Sequence, residues 1–307
     1  MSDLAVVYEH PEWFKPLFAE LDRRGVDYTA IRIDQHWFDL NSTTPPAPVI
    51  FNRVAMSSFL RQDEHCIFYA QALYAHWAAC GARVINGVDA LAIDTSKARQ
   101  LALIRALGFR IPATRIVHRR TDILAAATGL GFPLIVKPNI GGAGSGVTRY
   151  ESQEELAQAI EHGSTPISVD SVTLVQEYVP STNGRIVRAE TLDGKFLYAI
   201  AIGSGGATFD LCPADVCAID RPPVTMEQTT LDTQTLAEVE TIARAAHLDI
   251  GGIEFMLDER DGARRYYDIN GLSNFVANPR SVLGWEPHEN LVDYLIATIQ
   301  RRREVKQ

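Results

Sequence analysis

Short apolar runs and longer stretches with helical apolar spacing alternate from the first residues onward. Residues 4–8 (LAVVY), 28–33 and 49–51 are rich in apolar and β-branched side chains, the pattern of strands buried on both faces. Residues 11–24 repeat apolar positions at helical spacing and stop at Gly25, so the opening reads as strand, helix, strand: a parallel βαβ unit. The periodic run 57–79, closed by Gly81, predicts a further helix, and 83–86 a fourth strand. A helix capped by Asp94 or Thr95 runs to Leu107 and ends at Gly108, followed by a strand at 111–117 and a helix at 121–128. Helix 152–161 carries Ser152 as its cap with Glu155 at the capping-box position, and the apolar run 174–179 leaves its sheet at Pro180. Two alternating runs, 185–192 and 195–202, flank Asp193-Gly194, a favoured two-residue hairpin turn. Helix 231–246, strands 251–257 and 266–270, and an amphipathic helix at 288–301 complete the chain. This order predicts an α/β (α+β) protein in three parts: residues 1–90, 91–180 and 181–307.

Chemistry concentrates first in residues 132–150, FPLIVKPNIGGAGSGVTRY. Leu134, Ile135 and Val136 read as a buried strand stopped by Pro138, which fixes Lys137 at the strand end. Gly141, Gly142, Gly144 and Gly146, spaced by Ala143 and Ser145, leave backbone N–H groups uncovered and able to converge on phosphate oxygens. In isolation such a loop reads first as a plain hairpin turn between two strands, and Lys137 beside it is what favours phosphate. It is neither a Walker loop, since no Gly-Lys-Ser/Thr follows, nor a Rossmann fingerprint, since residues 147–150 continue as a strand.

A second cluster lies near the C-terminus. Period-two alternation puts Asp268 and Asn270 on one face of their strand, with Glu254 on a neighbouring strand of the same hairpin. Two carboxylates and an amide suit Mg²⁺, which keeps water and phosphate oxygens as its remaining ligands. Arg53, at the end of the third strand, stands where ligands gather in open parallel sheets. It can hold a substrate carboxylate or pair with Asp63 or Glu64.

Composition narrows the partners. The 307 residues are 46% hydrophobic and 22% charged, an ordinary globular composition long enough for two or three cores. A net charge of −9 argues against nucleic acid, so a nucleotide site needs a few well-placed cations within an acidic body. No apolar run approaches the roughly 20 residues of a membrane span. The four cysteines, at 66, 80, 212 and 217, lack metal-ligand spacing. With no signal peptide recognised, a reduced, cytoplasmic protein is the expectation, and a homodimer is left open.

Strand, lysine, glycine loop, strand, followed by an acidic strand and Asp268-x-Asn270, resembles the ATP-grasp superfamily across roughly residues 90–300. The resemblance implies an N-terminal α/β domain, a central lid domain and a C-terminal domain that hold ATP and Mg²⁺. It makes Lys97 and Lys137 the two nucleotide lysines and Gly141, Gly142, Gly144, Ser145 and Gly146 the phosphate cover. Gln176, Glu177, Tyr178 and Val179 become the adenine pocket, and Glu254, Asp268 and Asn270 the metal ligands. Arg185, in Asn183-Gly184-Arg185, or Arg188 is implied to face the transferred phosphate, as in the RimK-like branch. Gly252 stands where D-alanine–D-alanine ligases carry an arginine, which favours that branch. The turn after Asn270 departs from the branch's usual Ser-Pro-Gly, so acceptor binding is expected around Asn274, Asn278 and Arg280. The glycine-rich residues 203–217 are expected to cover the acceptor. The implied activity is an ATP-dependent carboxylate–amine ligase acting through an acylphosphate on small-molecule substrates, with a small-molecule kinase or an ATP-binding regulator as alternatives.

Overall fold

The computed structural model describes residues 2–61, 65–142, 144–203 and 225–304. Ala143 and all but the first residue of the 203–217 segment therefore lie outside the described residues.

The chain begins with β1 (Leu4–Tyr8), α1 (Lys15–Arg23), β2 (Tyr28–Arg32), β3 (Val49–Arg53), α2 (Cys66–Ala79) and β4 (Arg83–Ile85). These four strands form one parallel sheet in the order β2-β1-β3-β4. The order reverses between β1 and β3, so the connections after those two strands diverge and leave a crevice at their carboxyl ends. The helix expected from residue 57 starts later: residues 58–60 form a single 3₁₀ turn and α2 begins at Cys66. Ser57 is thereby left facing the crevice.

Two helices, α3 (Val88–Asp94) and α4 (Lys97–Ala106), replace the single one expected from Asp94 or Thr95. The Thr95 hydroxyl donates back to the Leu91 carbonyl at 2.8 Å and closes α3. Ser96 takes an extended backbone and caps α4 by accepting the Arg99 N–H, so neither expected residue is the cap.

Next come β5 (Thr114–Val117), α5 (Ile123–Ala127), β6 (Leu134–Pro138), β7 (Thr148–Tyr150), α6 (Gln153–Glu161) and β8 (Thr173–Glu177). Their strands pair antiparallel throughout in the order β5-β8-β6-β7. Helices α5 and α6 cover one face around Leu134, Val136, Leu156 and Val175. Ser152 caps α6 as expected, and Glu155 returns to the Glu151 N–H at 2.7 Å.

The last part holds β9 (Arg185–Leu192), β10 (Lys195–Gly203), β11 (Thr225–Thr229), α7 (Thr233–Ala245), β12 (Ile250–Leu257), β13 (Arg264–Asn270), α8 (Pro279–Val282) and α9 (Pro287–Glu304). The antiparallel order is β11-β10-β9-β12-β13. One face buries Ala189, Ile253, Phe255 and Ile269 under α7 and the N-terminal α3–α4 segment. The other face shares a core with the first sheet, α1 and α9, through Ile186, Tyr198, Ile200 and Ile250. Asn86 stitches the two sheets: its amide donates to the Ile250 carbonyl and accepts the Asp249 N–H. No helix among the described residues is long and apolar enough to cross a membrane.

Candidate nucleotide and metal site

The three sheets face a cavity of about 400 Å³. Trp13, Ala55, Met56 and Ser57 enter it from the crevice after β1 and β3, Lys137 and the glycine hairpin from β6 and β7, and Ile186, Arg188, Glu254 and Asp268 from the C-terminal sheet.

Both lysines arrive through one asparagine. Asn139, buried just after β6, accepts the Lys97 N–H on its carbonyl at 3.1 Å and the Ala98 N–H on its side-chain oxygen at 2.9 Å. The N-terminus of α4 is thus pinned to the end of β6, which brings Lys97 and Lys137 into the same cavity although 40 positions separate them. Gln100 fixes the other side of α4 by bonding both the N–H and the carbonyl of Ile269 on β13. Lys97 Nζ then pairs with Asp268. Lys137 is 5% exposed, with its ammonium 5.8 Å from the centre of the Tyr267 ring. Burial, reinforced by the nearby charge of Lys97, holds its pKa down at about 8.

The hairpin between β6 and β7 closes over these cations. Gly146 takes a left-handed φ of +73° and lies so near the Pro138 ring that a Cβ would approach it to 3.2 Å. Across the cavity, a Cβ at Gly142 would meet the Ser57 side chain at 3.3 Å. Gly141, Gly142, Gly144 and Ser145 all line the cavity, while Gly146 forms the turn behind them.

The acidic end is set by sheet register. Glu254 stands opposite Asp268, and Gly252 opposite Asn270. A register shift follows Glu254, with Phe255 pairing Tyr266, so Tyr267 is an extra residue in β13. This irregularity sends both Tyr267 and Asp268 toward the cavity, where strict alternation would have separated them. The Tyr267 hydroxyl donates to Glu254 Oε2 at 2.9 Å, and Asn270 Nδ2 donates to Glu254 Oε1 at 3.2 Å. Burial, partly offset by Arg188, pushes the Glu254 carboxyl above its usual range. Asp94, half-buried beside this cluster and bonded to the Gly271 N–H, is pushed up to about 6, first by desolvation of its carboxyl.

No group of three or more His, Cys, Asp and Glu side chains among the described residues forms a metal cluster. Two carboxylates and one amide in register nevertheless fit a hard cation that draws its other ligands from phosphate and water.

The β8 end forms the opposite wall. Gln176, Glu177, Tyr178 and Val179 all line the cavity. The Glu177 carboxylate accepts the Ala113 N–H at 2.8 Å and Arg260 Nη2 at 3.0 Å, so it braces the crossing between sheets. The Arg149 guanidinium stacks over Tyr178 at 4.1 Å.

The arginines separate clearly. Alternation along β9 points Ile186 and Arg188 into the cavity and Arg185 to the other face, where it pairs with Glu227 on β11 at 2.9 Å. Arg185 is therefore not brought to the site that the resemblance assigned it. Arg188 reaches Glu190 at 2.6 Å and Glu254 at 3.1 Å. Burial alone would lower its pKa, but Glu190 and then Glu254 outweigh burial and raise it. Arg280 is 74% exposed beside Glu289 and also stands apart from the cavity. Asn274 lines the cavity, with Arg53 buried behind it: Arg53 Nη2 donates to the Ser273 carbonyl and to Asn274 Oδ1 at 3.2 Å. Burial lowers the Arg53 pKa to about 9. The alternative of an exposed Arg53 does not hold, while Asp63 and Glu64, its suggested partners, lie outside the described residues.

Residues 94–271 match the family model of the RimK-like ATP-grasp domain. A D-alanine–D-alanine ligase of Haemophilus influenzae (strain PittEE) is 32% identical over 128 residues, covering 40% of this chain and 41% of that protein. The chain thus aligns with only about two-fifths of that curated relative. ATP-grasp ligase PsnB, solved with a phosphomimetic variant of its minimal precursor, Mg and ADP, superposes with a TM-score of 0.71 at 18% identity, covering 97% of this chain and 100% of the other. An ATP-grasp RimK domain protein from Sphaerobacter thermophilus DSM 20745 gives a TM-score of 0.70 at 16% identity, covering 95% and 99%. The fold is the ATP-grasp fold.

Proposed function

We propose that this chain, which belongs to the RimK-like ATP-grasp family, is an ATP- and Mg²⁺-dependent carboxylate–amine ligase. The observation that carries this reading is the convergence of Lys97, Lys137 and Arg188 with Glu254, Asp268 and Asn270 in one cavity beneath a glycine hairpin. Lys97 and Lys137 hold the nucleotide phosphates, the backbone of residues 141–146 covers them, and the β8 end takes the adenine. Glu254, Asp268 and Asn270 hold Mg²⁺, which when bound draws charge off the phosphoryl group in flight. Arg188, fixed on β9, faces the same group.

A substrate carboxylate takes the γ-phosphoryl group and ADP leaves. An amine then attacks the acyl carbon of the acylphosphate, an amide bond forms, and phosphate departs. Placement of the groups supplies most of the rate, as expected where no protein nucleophile is used. The apolar wall of Trp13, Met56 and Phe275, with Asn274 and the buried Arg53 behind it, forms the acceptor end. Small carboxylic acids or amino acids are the substrate class.

The test is ADP release with ATP, Mg²⁺ and pools of carboxylates and amines, repeated with hydroxylamine as the amine. A ligase yields a hydroxamate in step with ADP. A stable phosphorylated product would identify a kinase, and ADP release that ignores every acceptor would leave a regulator or slow ATPase.

A further inference from the structure

Behind Arg188, which lines the cavity, lies a buried carboxylate that the reaction above does not use. Glu190 lies on β9 two residues beyond Arg188 and is 1% exposed. Its Oε1 accepts Arg188 Nε at 2.6 Å, while its Oε2 is buried with no hydrogen-bond partner among the described residues. Beneath the guanidinium lies Gly252, directly opposite Glu190 in the β9–β12 register. A Cβ there would come within 2.6 Å of Arg188 Nε and 2.9 Å of Cζ and Nη2. The guanidinium therefore occupies a slot that only glycine leaves open. Its far edge reaches Glu254 at 3.1 Å.

We propose that Glu190 is a positioning residue: it locks the Arg188 guanidinium flat in the slot over Gly252 and takes up its charge, leaving the Glu254 carboxylate for the metal and Arg188 for the phosphoryl group. A buried arginine seeks a carboxylate partner. Without Glu190, the nearest one is Glu254, and a bidentate pair there would occupy both oxygens. With Nε held by Glu190, Arg188 meets Glu254 through Nη1 alone. Glu254 Oε2 is thereby spared by Arg188; it accepts the Tyr267 hydroxyl and retains a second lone pair for the metal. Retaining a buried, partly unsatisfied carboxylate opposes stability, which is the mark of a group kept for something other than folding. This inference rests on the ligase reading of the cavity.

The test combines nitrogen-15 NMR of arginine side chains with steady-state kinetics on the full chain. The Arg188 Nε–H signal, assigned by its loss in Arg188→Lys, should exchange with water at least tenfold faster in Glu190→Gln than in wild type. With ATP, Mg²⁺, hydroxylamine and an amino-acid pool, Glu190→Gln should lower kcat tenfold or more while the KM for ATP stays within twofold. Gly252→Ala should do the same by pushing the guanidinium from its slot, and the double variant should be no slower than the slower single one. If the buried glutamine prevents folding, Gly252→Ala and the wild-type exchange rate carry the test.

A rapidly exchanging Arg188 Nε–H in wild type would overturn the proposal. So would a kcat within twofold of wild type in folded Glu190→Gln, or a KM that rises as much as kcat falls. A wild-type chain that releases no ADP with any acceptor would overturn the ligase reading instead, with the exchange rate still deciding whether Glu190 holds Arg188.

Discussion

Replacing Lys137 with methionine should make the protein more stable and worse at binding nucleotide. Lys137 is 5% exposed, and burial moves its pKa from 10.5 to about 8. At about 1.4 kcal/mol per unit, keeping that ammonium charged at neutral pH costs about 3 kcal/mol. Methionine fills most of the same volume without the charge, so Lys137→Met should gain about 1–3 kcal/mol at pH 7 once imperfect packing is discounted. The gain depends on pH in a defined direction. Between the folded pKa of about 8 and the ordinary value of 10.5, the unfolded chain binds more protons than the folded one, so wild-type stability rises with pH. The advantage of the variant is therefore full below about pH 8 and fades as pH climbs toward 10.5. A charged hydrogen bond to phosphate contributes about 1.5–3 kcal/mol, so the same substitution should weaken Mg²⁺–ADP binding by about 10- to 150-fold. Urea unfolding of both proteins from pH 7 to 10 reads the first effect, and calorimetric titration with Mg²⁺–ADP reads the second. A variant that is less stable yet binds nucleotide as well as wild type would refute the reasoning and make Lys137 a structural residue.

Glu254→Gln, Asp268→Asn and Asn270→Ala should each lower turnover at least a hundredfold while nucleotide affinity falls less than tenfold, since metal acts chiefly on charge that develops during transfer; comparing kcat with calorimetric affinity checks this. Residues 140–146 should become resistant to proteolysis when Mg²⁺–ATP is added, because phosphates would engage the hairpin backbone, and equal cleavage with and without nucleotide would speak against that role. Arg185→Ala should keep turnover within twofold of wild type, because its partner is Glu227 on the outer face, whereas Arg188→Ala should lower turnover at least a hundredfold; a parallel assay of the two variants decides between the neighbouring arginines.

The strand-borne chemistry was legible because strand periodicity is regular. Lys137 at the end of an apolar run, and Glu254 and Asp268 on adjoining strands, could be placed by alternation, and the structure brings all three to one cavity. Alternation also separates Arg185 from Arg188, once the strand start at Arg185 is fixed. Tyr267 was out of reach because an extra residue in β13 turns it inward, and a bulge leaves no mark in a hydrophobic pattern. Glu190 escaped for a related reason: an acidic residue on an alternating strand reads as solvent-facing unless its buried arginine partner is known. The break between α3 and α4 was hidden because Asp94, Thr95 and Ser96 are all good caps, and the choice among them is made by the local bond from Thr95 back to Leu91 and the tertiary bond from Gly271 to Asp94. Trp13 and Ser57 join the site through the divergence of loops after β1 and β3, which is a property of strand order rather than of local sequence.

Transfer of an oxygen atom from substrate to phosphate reports carboxylate activation most directly. The carboxylate found to drive ADP release is labelled with oxygen-18 in both positions and turned over to completion with ATP, Mg²⁺ and an amine. Phosphorus NMR then reads the isotope content of the inorganic phosphate. Attack of the carboxylate on the γ-phosphoryl group predicts one labelled oxygen in every phosphate released. Unlabelled phosphate would mean that water or another nucleophile takes the phosphoryl group, and would contradict a ligase acting through an acylphosphate.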